Sequence, residues 1–352
     1  MGTKKNRWFL WPFSLLYGIG VFTRNKLFDW GVLKTCSFDI PIICIGNITV
    51  GGTGKTPHTE ALISILKENY SVACLSRGYK RKTSGFVLAS QEATAEEIGD
   101  EPRQIKMKFP GIIVAVDSNR KRGIQNLLRL KEKPDVIIMD DGFQHRYVKA
   151  DINILLIDYH RPIHKDHLLP RGMLRESPAA IERANYIFVT KCPPDITPLE
   201  ERIILKDMKL KPYQELLFTT MKYGDITPLD GTSHCQLTTE SVVLCVTGIA
   251  QPAPYIAYLS TLAGHVIHHD YPDHHYFTED NIKHIVNKFD QIDAPRKYIF
   301  MTEKDATRVT VASFPEEIQG CLFYIPIEPK FLNPQERLLK NIHDYVRKDK
   351  RM

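Results

Sequence analysis

Short, nearly unbroken apolar runs alternate along most of the chain with longer segments that have helical periodicity. Runs of strand length without polar interruptions are typical of strands that are buried on both faces of a sheet. Their alternation with helices predicts an α/β fold, in which a mostly parallel sheet is covered by helices on both faces. The runs are 41–45, 71–76, 112–116, 135–139, 152–158 and 186–190.

The same alternation restarts at about residue 221 and predicts a second, smaller α/β domain. Strands are expected at 242–248 and 298–302, with helices at 252–263 and 278–289 between them. An amphipathic helix is expected near the C-terminus, where one helical face carries Leu338, Leu339, Ile342, Tyr345 and Val346. The predicted divisions are an N-terminal segment of residues 1–38, a core of 39–220 and a smaller lobe of 221–329.

A glycine-rich segment at 46–56 lies between an apolar run and a helical pattern at 57–69. This strand–loop–helix order is the context of a P-loop, whose glycines let backbone N–H groups face phosphate oxygens. Lys55 would reach the β- and γ-phosphates, and the Thr56 hydroxyl would ligate Mg²⁺. Thr49 replaces the usual first glycine of G-x-x-x-x-G-K-T, so on its own the segment also fits an ordinary glycine-rich turn. The predicted nucleotide-binding residues are Gly51, Gly52, Thr53, Gly54, Lys55 and Thr56.

A second signature of a phosphate site is the predicted strand at 135–141, whose apolar run ends in Asp140 and Asp141. The carboxyl ends of parallel strands are where α/β sheets place ligands. Paired carboxylates at that position suit Mg²⁺ or a water-mediated contact with a nucleotide. A simple Asp-Asp-Gly turn is the structural alternative, but it is disfavoured after a P-loop in a chain of alternating strands and helices. The core is therefore predicted to be of the P-loop NTPase type.

The identity of the base can be tested against the motif N/T-K-x-D, which GTP-specific sites carry after a late strand. The segment 190–193 begins with Thr and Lys but lacks the Asp, and 302–305 is only a near match. An adenine nucleotide is therefore favoured over a guanine nucleotide. Two classes of protein are alternatives to a kinase here: a membrane-associated, P-loop GTPase-like regulator or metallochaperone, and a non-catalytic, membrane-associated nucleotide-binding module. The missing Asp and the absence of metal-ligand clusters argue against the first class.

Residues 8–22 form an apolar run with aromatic side chains, and all three tryptophans of the chain lie within 1–38. A helix over this run would be about 22 Å long, which is short of the ~30 Å hydrocarbon core of a bilayer. Of the net charge of +6, the segment 1–38 carries six basic residues and one acidic residue, a sum of 6 − 1 = +5. Aromatic rings and flanking cations predict a helix that lies in the interface of an anionic membrane.

Neither a signal peptide nor an N-terminal lipid anchor fits this segment well. A signal peptide would need a small-residue cleavage site, but residues 23–26 read Thr-Arg-Asn-Lys. N-myristoylation would need Ser or Thr where the chain has Asn6. A helix that packs its apolar face on its own domain stays open as an alternative. Because the basic excess is local and not spread over a folded domain, nucleic acid is not an expected partner.

The cysteines and histidines favour no metal site. The seven cysteines contain no C-x-x-C and several lie inside apolar runs, as expected for reduced thiols of a cytosolic protein. Five histidines fall within 265–275, but no cysteines at ligand spacing accompany them. Zinc is therefore disfavoured.

Seven motifs, in order along nearly the whole chain, resemble one protein family. They are 46–57 with its non-glycine Thr49, 76–79, 99–102, 140–145, 169–176, 271–274 and 302–306. In this arrangement the chain is similar to the tetraacyldisaccharide 4′-kinases, the lipid A 4′-kinases of Gram-negative bacteria. The resemblance implies that the γ-phosphate of ATP is transferred to the 4′-hydroxyl of tetraacyldisaccharide 1-phosphate, forming lipid IVA. It also implies Mg²⁺ as cofactor and a peripheral or monotopic position at the cytoplasmic face of the inner membrane.

The resemblance also implies roles for individual residues. Asp100 would be the base for the acceptor hydroxyl, paired with His274 across the cleft, while Lys55 neutralises charge on the transferred phosphate. In the family the C-terminal helix, here 330–352, returns to the core, so the chain crosses between the lobes twice. Asp100 and His274 would then come from opposite lobes, and closure of the lobes would bring them together. The implied metal-binding residues are Thr56, Asp140, Asp141 and Glu176. The residues implied to grip the substrate or a phosphate are Arg77, Tyr79, Arg120, Gln144, His145, Arg171 and Arg175.

Overall fold

The computed structural model describes residues 8–349, with side chains as far as residue 347. Lys4, Lys5 and Arg7, which contribute to the charge of the N-terminal segment, lie outside these residues, as does 350–352 of the predicted last helix. The strands are β1 (Ile42–Asn47), β2 (Val72–Ser76), β3 (Val87–Leu88), β4 (Ile113–Val116), β5 (Val136–Asp140), β6 (Ile152–Asp158), β7 (Tyr186–Thr190), β8 (Glu215–Tyr223), β9 (Thr227–Pro228), β10 (Val242–Thr247), β11 (His265–Asp270), β12 (Lys297–Thr302), β13 (Leu322–Ile325) and β14 (Ile327–Phe331).

The helices are α1 (Trp11–Asp29), α2 (Lys55–Leu66), α3 (Ala95–Ile98), α4 (Asp100–Lys108), α5 (Arg120–Leu127), α6 (Pro198–Met208), α7 (Ala253–Leu262), α8 (Glu279–Asp290), α9 (Glu303–Ala306), α10 (Glu316–Gln319) and α11 (Glu336–Asp349). Short 3-10 turns occupy Trp8–Leu10, Ile163–Lys165, Pro178–Arg183 and Val311–Ser313.

The larger sheet has nine strands in the order β14-β8-β7-β6-β1-β5-β2-β4-β3. Its strands run parallel except at the two edges, where β3 and β14 are antiparallel to their neighbours. All six residues of β1 are buried, which explains the unbroken apolar run. The predicted fold class, a mostly parallel α/β core of the P-loop type, is confirmed.

The strand register places the two phosphate-site signatures side by side. Near the carboxyl end of β1, Ile45 pairs with Asp140 at the end of β5. The P-loop leaves β1 at that edge, and α2 begins at Lys55, two residues before the predicted start. The helix can begin there because its N-cap Gly54 has a φ of +82°, a backbone conformation that glycine adopts at no steric cost.

Two hydrophobic clusters fill the two faces of the larger sheet. On one face Leu62 of α2, Ile105 of α4 and Leu338 of α11 share a core. On the opposite face Ile124 and Leu127 of α5 pack over the same strands. The helix that follows the P-loop and the helix that begins with Asp100 therefore share one side of the sheet.

The smaller sheet has five strands in the order β11-β10-β12-β13-β9, of which β9 is antiparallel to its neighbour. Its two faces are covered by α8, through Ile285 and Phe289, and by α7, through Tyr255 and Leu259. The chain enters and leaves this unit through β8 and β14, which pair with each other. Afterwards α11 packs on the larger sheet through Leu338, Ile342 and Val346.

The apolar N-terminal run forms a helix, as predicted, but the helix continues to Asp29. Its last turns are held by Arg146, which donates 3.0 Å to the Asn25 carbonyl and 2.7 Å to Asp29. Among the described residues, no helix is both long enough and apolar enough to span a membrane.

Candidate active site

The P-loop is held in a backbone conformation that requires its glycines. Gly51 has a φ of +100° and Gly54 a φ of +82°, values that side-chain-bearing residues rarely adopt. Within the loop, Asn47 Nδ2 donates to Thr53 Oγ1 at 2.8 Å. Thr190 Oγ1, at the end of β7, donates to the Thr53 carbonyl at 2.9 Å. The loop is therefore fixed from two strands, with the free N–H groups of the first turn of α2 beneath it.

Thr49, which stands where the usual motif has its first glycine, is explained by its neighbours. It forms an antiparallel bridge with Leu174, and Val50 N donates to the Met173 carbonyl at 2.8 Å. The start of the loop is thus an extended strand-like segment, which suits a β-branched residue. Left-handed backbone is needed later in the loop, at Gly51.

Two cations beside the P-loop were not predicted from the sequence. The Lys191 ammonium donates to the Gly52 carbonyl and, at 3.1 Å, to Asp158 Oδ2. Arg161 donates to the same carboxylate at 3.1 Å, and its guanidinium lies 2.9 Å from where a Cβ on Gly51 would be. As a sequence motif, Thr190–Lys191 only indicates an incomplete guanine site. Its position directly after a predicted strand is the signal that points to a contact with the P-loop.

Lys55 lies between the P-loop and the carboxylates at the end of β5. Its Nζ atom is 3.6 Å from Asp141 Oδ1, and Arg175 Nη1 is 3.4 Å from the other oxygen of Asp141. Asp141 has a φ of +46°, a strained conformation for a residue other than glycine. The turn after β5 therefore directs this carboxylate at Lys55.

Asp140 is buried beneath this turn. Its carboxylate accepts from Thr59 Oγ1 at 3.1 Å and from Ser76 Oγ at 3.4 Å. Burial, followed by the charges of Glu101 and Asp141, raises the pKa of Asp140 to about 7, against the opposing effect of Lys55. The effect of Glu101 shows that the N-terminus of α4 lies near the end of β5.

The candidate metal ligands fit a Mg²⁺ ion that protein and nucleotide hold together. Asp141 Oδ1 and Glu176 Oε1 are buried and accept no hydrogen bond within the described residues. The second oxygen of Glu176 is paired with Arg183. No group of three or more His, Cys, Asp or Glu in the described part of the chain could hold a metal by itself. Mg²⁺ in phosphoryl-transfer sites needs only one or two carboxylates, because phosphates and waters complete its shell.

Asp100 and His274, which lie far apart in the sequence, are brought together from the unit built on the larger sheet and the unit built on the smaller sheet, which are called the two lobes below. His274 Nδ1 lies 2.9 Å from Asp100 Oδ2. Asp100 begins α4 directly after Gly99, whose φ is +94°. His274 has a φ of +63°, and its backbone N–H donates to the Gly248 carbonyl at 3.1 Å. Both side chains are thus held by unusual backbone turns at the boundary between the lobes.

Arg308 is a further member of this cluster that sequence motifs did not indicate. Its Nε and Nη2 atoms lie 3.0 and 2.7 Å from Asp100 Oδ2. Burial would raise the pKa of Asp100, but the hydrogen bonds from His274 and Arg308 outweigh it and hold that pKa at about 2. Arg308 stands two residues beyond the motif at 302–306, and its proximity to Asp100 depends on the packing of the lobes.

Of the residues expected to hold substrate, two are exposed, one contacts the base of the P-loop and one lies among arginines. Tyr79 is 60% exposed and its ring lies 5.8 Å from that of His274; Arg77 is also exposed. Gln144 donates to the Asn47 carbonyl at the base of the P-loop. Burial, reinforced by Arg120 and other nearby arginines, lowers the pKa of His145 to about 4, so its ring is neutral near pH 7.

The Arg120 side chain is engaged with the protein itself, and Arg171 contacts α1 through its backbone. The buried Arg120 guanidinium donates to the backbone carbonyls of Asp117 at 2.6 Å and Asp140 at 3.0 Å. The backbone N–H of Arg171 donates to Ser14 Oγ at 3.0 Å. Arg120 therefore braces the turn that carries Asp140, and Arg171 lies at the contact with α1.

One side of α1 packs against the site. Ser14 Oγ donates to the Leu168 carbonyl at 3.0 Å, and Tyr17 donates to the Arg175 carbonyl at the same distance. Arg24 donates to the Gln144 carbonyl at 2.8 Å. The helix and the turn before it also carry apolar residues of which at least half is exposed: Trp8, Phe9, Trp11, Phe13, Leu15, Leu16, Ile19 and Phe22. The sequence leaves open whether this helix packs on its own domain or exposes an apolar face. The helix does both, with different sides.

Comparison with known proteins gives a consistent result along the chain. The family model described as tetraacyldisaccharide-1-P 4′-kinase matches residues 6–347. A tetraacyldisaccharide 4′-kinase of Phocaeicola vulgatus is 49% identical and covers 99% of this chain and 97% of its own. One of Flavobacterium johnsoniae is 42% identical with 97% coverage of both chains.

A solved structure has the same fold. The crystal structure of an "apo" form of LpxK from Aquifex aeolicus in complex with ATP is 28% identical to this chain, with a TM-score of 0.75. The match covers 97% of this chain and 99% of the other. Because both the family model and these relatives span almost the full length, the chain belongs to the tetraacyldisaccharide-1-P 4′-kinase family.

Proposed function

We propose that this protein transfers the γ-phosphate of ATP to the 4′-hydroxyl of tetraacyldisaccharide 1-phosphate, forming lipid IVA in lipid A biosynthesis. The names of the relatives and the ATP complex of the Aquifex aeolicus structure support the substrates. The observation that carries the proposal is the 2.9 Å contact of Asp100 with His274 beside a P-loop. A nucleotide-binding module without an acceptor would have no use for this pair.

The phosphate side of the reaction is assigned to the P-loop and the turn after β5. Backbone N–H groups of the loop and the Lys55 ammonium would bind the β- and γ-phosphates. Thr56, Asp141 and Glu176 would hold Mg²⁺, with Asp140 hydrogen-bonded behind them. When bound, Mg²⁺ neutralises the charge that develops on the phosphoryl oxygens.

The acceptor side is assigned to Asp100 and His274. The O–H bond of the 4′-hydroxyl breaks as its oxygen bonds to phosphorus, ADP leaves, and the proton passes to Asp100. A carboxylate with a pKa of about 2 is a weak base. Phosphoryl transfer through a loose transition state depends chiefly on positioning and charge stabilisation, so orientation of the hydroxyl is the main contribution of this carboxylate.

The exposed apolar surface of α1 is proposed to dock the enzyme on the cytoplasmic face of the inner membrane. Lys and Arg in the first 38 residues would attract anionic lipid headgroups. The same helix touches Arg175 and Gln144 through its polar contacts. Docking through α1 would thus place the active site next to the membrane that holds the acyl chains of the substrate, within reach of its 4′-hydroxyl.

A direct assay tests the proposal. The full chain is incubated with γ-labelled ATP, Mg²⁺ and tetraacyldisaccharide 1-phosphate in detergent micelles, and labelled lipid is separated from nucleotide. We expect label on the lipid, and excess unlabelled ATP should suppress it far more than excess GTP. ATP binding without labelled lipid would contradict the kinase proposal, and preferential suppression by GTP would favour a GTPase-like regulator.

A further inference from the structure

The segment after β12 brings two cations onto the Asp100–His274 pair. Within it, Thr302 Oγ1 donates to Asp305 Oδ2 at 2.6 Å, and Gly248 N donates to the same oxygen at 3.0 Å. The other oxygen of Asp305 accepts from Arg308 Nη1 at 2.8 Å. The Arg308 side chain is fully buried. Asp305 therefore holds the guanidinium in one orientation toward the opposite lobe.

Arg308 and His274 occupy the same oxygen of Asp100. Arg308 Nη2 at 2.7 Å, Arg308 Nε at 3.0 Å and His274 Nδ1 at 2.9 Å all approach Oδ2. Oδ1 of the same carboxylate is buried and has no hydrogen-bond partner in residues 8–349. A buried carboxylate oxygen without a donor is costly, and a bound hydroxyl would satisfy it.

The contacts also determine which nitrogen of His274 carries the proton. An ionised carboxylate only accepts hydrogen bonds, so the nitrogen facing Asp100, Nδ1, must bear the hydrogen. Nε2 is then an acceptor, and Lys304 Nζ lies 3.3 Å from it. Arg308 Nη2 is also 3.4 Å from Nδ1, but two N–H donors facing each other form no hydrogen bond, so this longer approach follows from the contact that both groups make with Asp100. Lys304 thus supports the Nδ1–H tautomer.

We propose that Arg308 and Lys304 are positioning residues that saturate Oδ2 of Asp100 and fix the His274 tautomer, leaving Oδ1 to receive the acceptor proton. His274 then orients the carboxylate and is not itself the proton acceptor. This inference rests on the proposed role of Asp100 as the base. Arg308 and Lys304 act through the pair and need not touch the substrate.

A double-mutant cycle on kcat tests the proposal in the full-length enzyme, with γ-labelled ATP and micellar tetraacyldisaccharide 1-phosphate. Arg308→Gln should lower kcat by about 10- to 100-fold, the range for an orienting outer-shell partner, with KM for ATP changed less than about twofold. In the Asp100→Asn background the same substitution should cost nothing further, because its only route is absent. Arg308→Lys should restore part of kcat, since it keeps the charge with fewer donors.

The outcomes separate this inference from the proposed function. If Asp100→Asn itself leaves kcat unchanged, the role of Asp100 as base fails and the inference fails with it. If Asp100→Asn is slow but Arg308→Gln lowers kcat equally in both backgrounds, the positioning role alone is overturned. A rise in KM for ATP equal to the loss of kcat would instead place Arg308 at the nucleotide. Arg296→Gln, an exposed arginine of the same lobe, is the matched control and should behave as wild type.

A second cycle keeps the test valid if Arg308→Gln does not fold. Lys304→Met removes the donor to His274 Nε2 and should lower kcat in the wild-type background but not in the His274→Gln background. In histidine-labelled protein, ¹⁵N spectra should report the Nδ1–H tautomer in the wild type and a tautomer mixture in Lys304→Met. An Nε2–H tautomer in the wild type, or equal losses of kcat in both backgrounds, would overturn the assignment.

Discussion

Replacing Phe13 and Leu16 with serine tests whether the exposed surface of α1 binds membranes. The two side chains are 59% and 66% exposed. Full burial of a Phe or Leu side chain contributes about 1.5–3 kcal/mol, so insertion of the exposed fraction contributes about 1–2 kcal/mol for each. The double variant should therefore lose about 2–4 kcal/mol of membrane affinity, which is about 30- to 1000-fold.

The assay is co-sedimentation with vesicles of phosphatidylethanolamine and phosphatidylglycerol at physiological salt. ATP binding, measured in parallel, should change little, because neither side chain makes the polar contacts to the site. Deleting residues 1–25 would be less informative, since it also removes Ser14, Tyr17 and Arg24 from their partners.

The matched control is Leu199→Ser with Ile203→Ser on α6, where the side chains are 68% and 52% exposed. This variant removes similar apolar surface from another helix and should bind vesicles as the wild type does. Vesicle binding of the α1 variant within about threefold of the wild type, or an equal loss in the α6 variant, would refute the membrane role of α1.

Three further predictions concern the charges of the site. His274→Ala should lower kcat at least about tenfold while changing ATP affinity less than about twofold, as measured by steady-state kinetics and ATP titration; equal losses would contradict the pairing with the base. The pKa of Asp140 is about 7 in the folded state, which is higher than in the unfolded chain, so the folded state binds this proton more tightly. Ionising Asp140 therefore lowers the free energy of unfolding, and this loss grows as pH rises from about 4 to 7. Asp140→Asn should therefore raise the melting temperature relative to wild type more at pH 8 than at pH 5, and a gain independent of pH would exclude this titration. Lys108 lies 2.8 Å from Glu60 and 3.1 Å from Glu303 of the opposite lobe, so Lys108→Met should lower the free energy of unfolding in urea by about 3–5 kcal/mol. Because burial, followed by Glu303, raises the pKa of Glu60 to about 7, that loss should be smaller at pH 5 than at pH 8; the opposite trend would show that Glu60 is not the group left unpaired.

The parts of the fold and site that could be predicted are those encoded by neighbouring residues. The apolar strand, the spacing of Gly51 and Gly54, and Lys55 form a continuous segment, so periodicity and motif together identify it. The run ending in Asp140 and Asp141 is similarly local. Each element follows from the chemistry of one short stretch of chain.

The parts that could not be predicted depend on packing between distant segments. Arg308 reaches Asp100 across 208 positions of the sequence, from one lobe to the other. Arg161 and Lys191 reach the P-loop because β6 lies beside β1 and β7 lies beside β6, an order that the sequence pattern alone does not specify. In α1 the same apolar residues suit a membrane or a protein core, and the contact of polar Ser14 with Leu168 distinguishes the buried side.

The role of Asp100 in phosphoryl transfer is tested most sharply by a single-turnover comparison of wild type with Asp100→Asn at saturating γ-labelled ATP and Mg²⁺. The label is located on the lipid product by mass spectrometry. We expect the wild type to place the phosphate on the 4′-oxygen, and Asp100→Asn to bind ATP equally well but transfer it about 10²- to 10⁴-fold more slowly. Label released as inorganic phosphate with none on the lipid, or an equal transfer rate in the variant, would contradict a lipid kinase that uses Asp100 as its base.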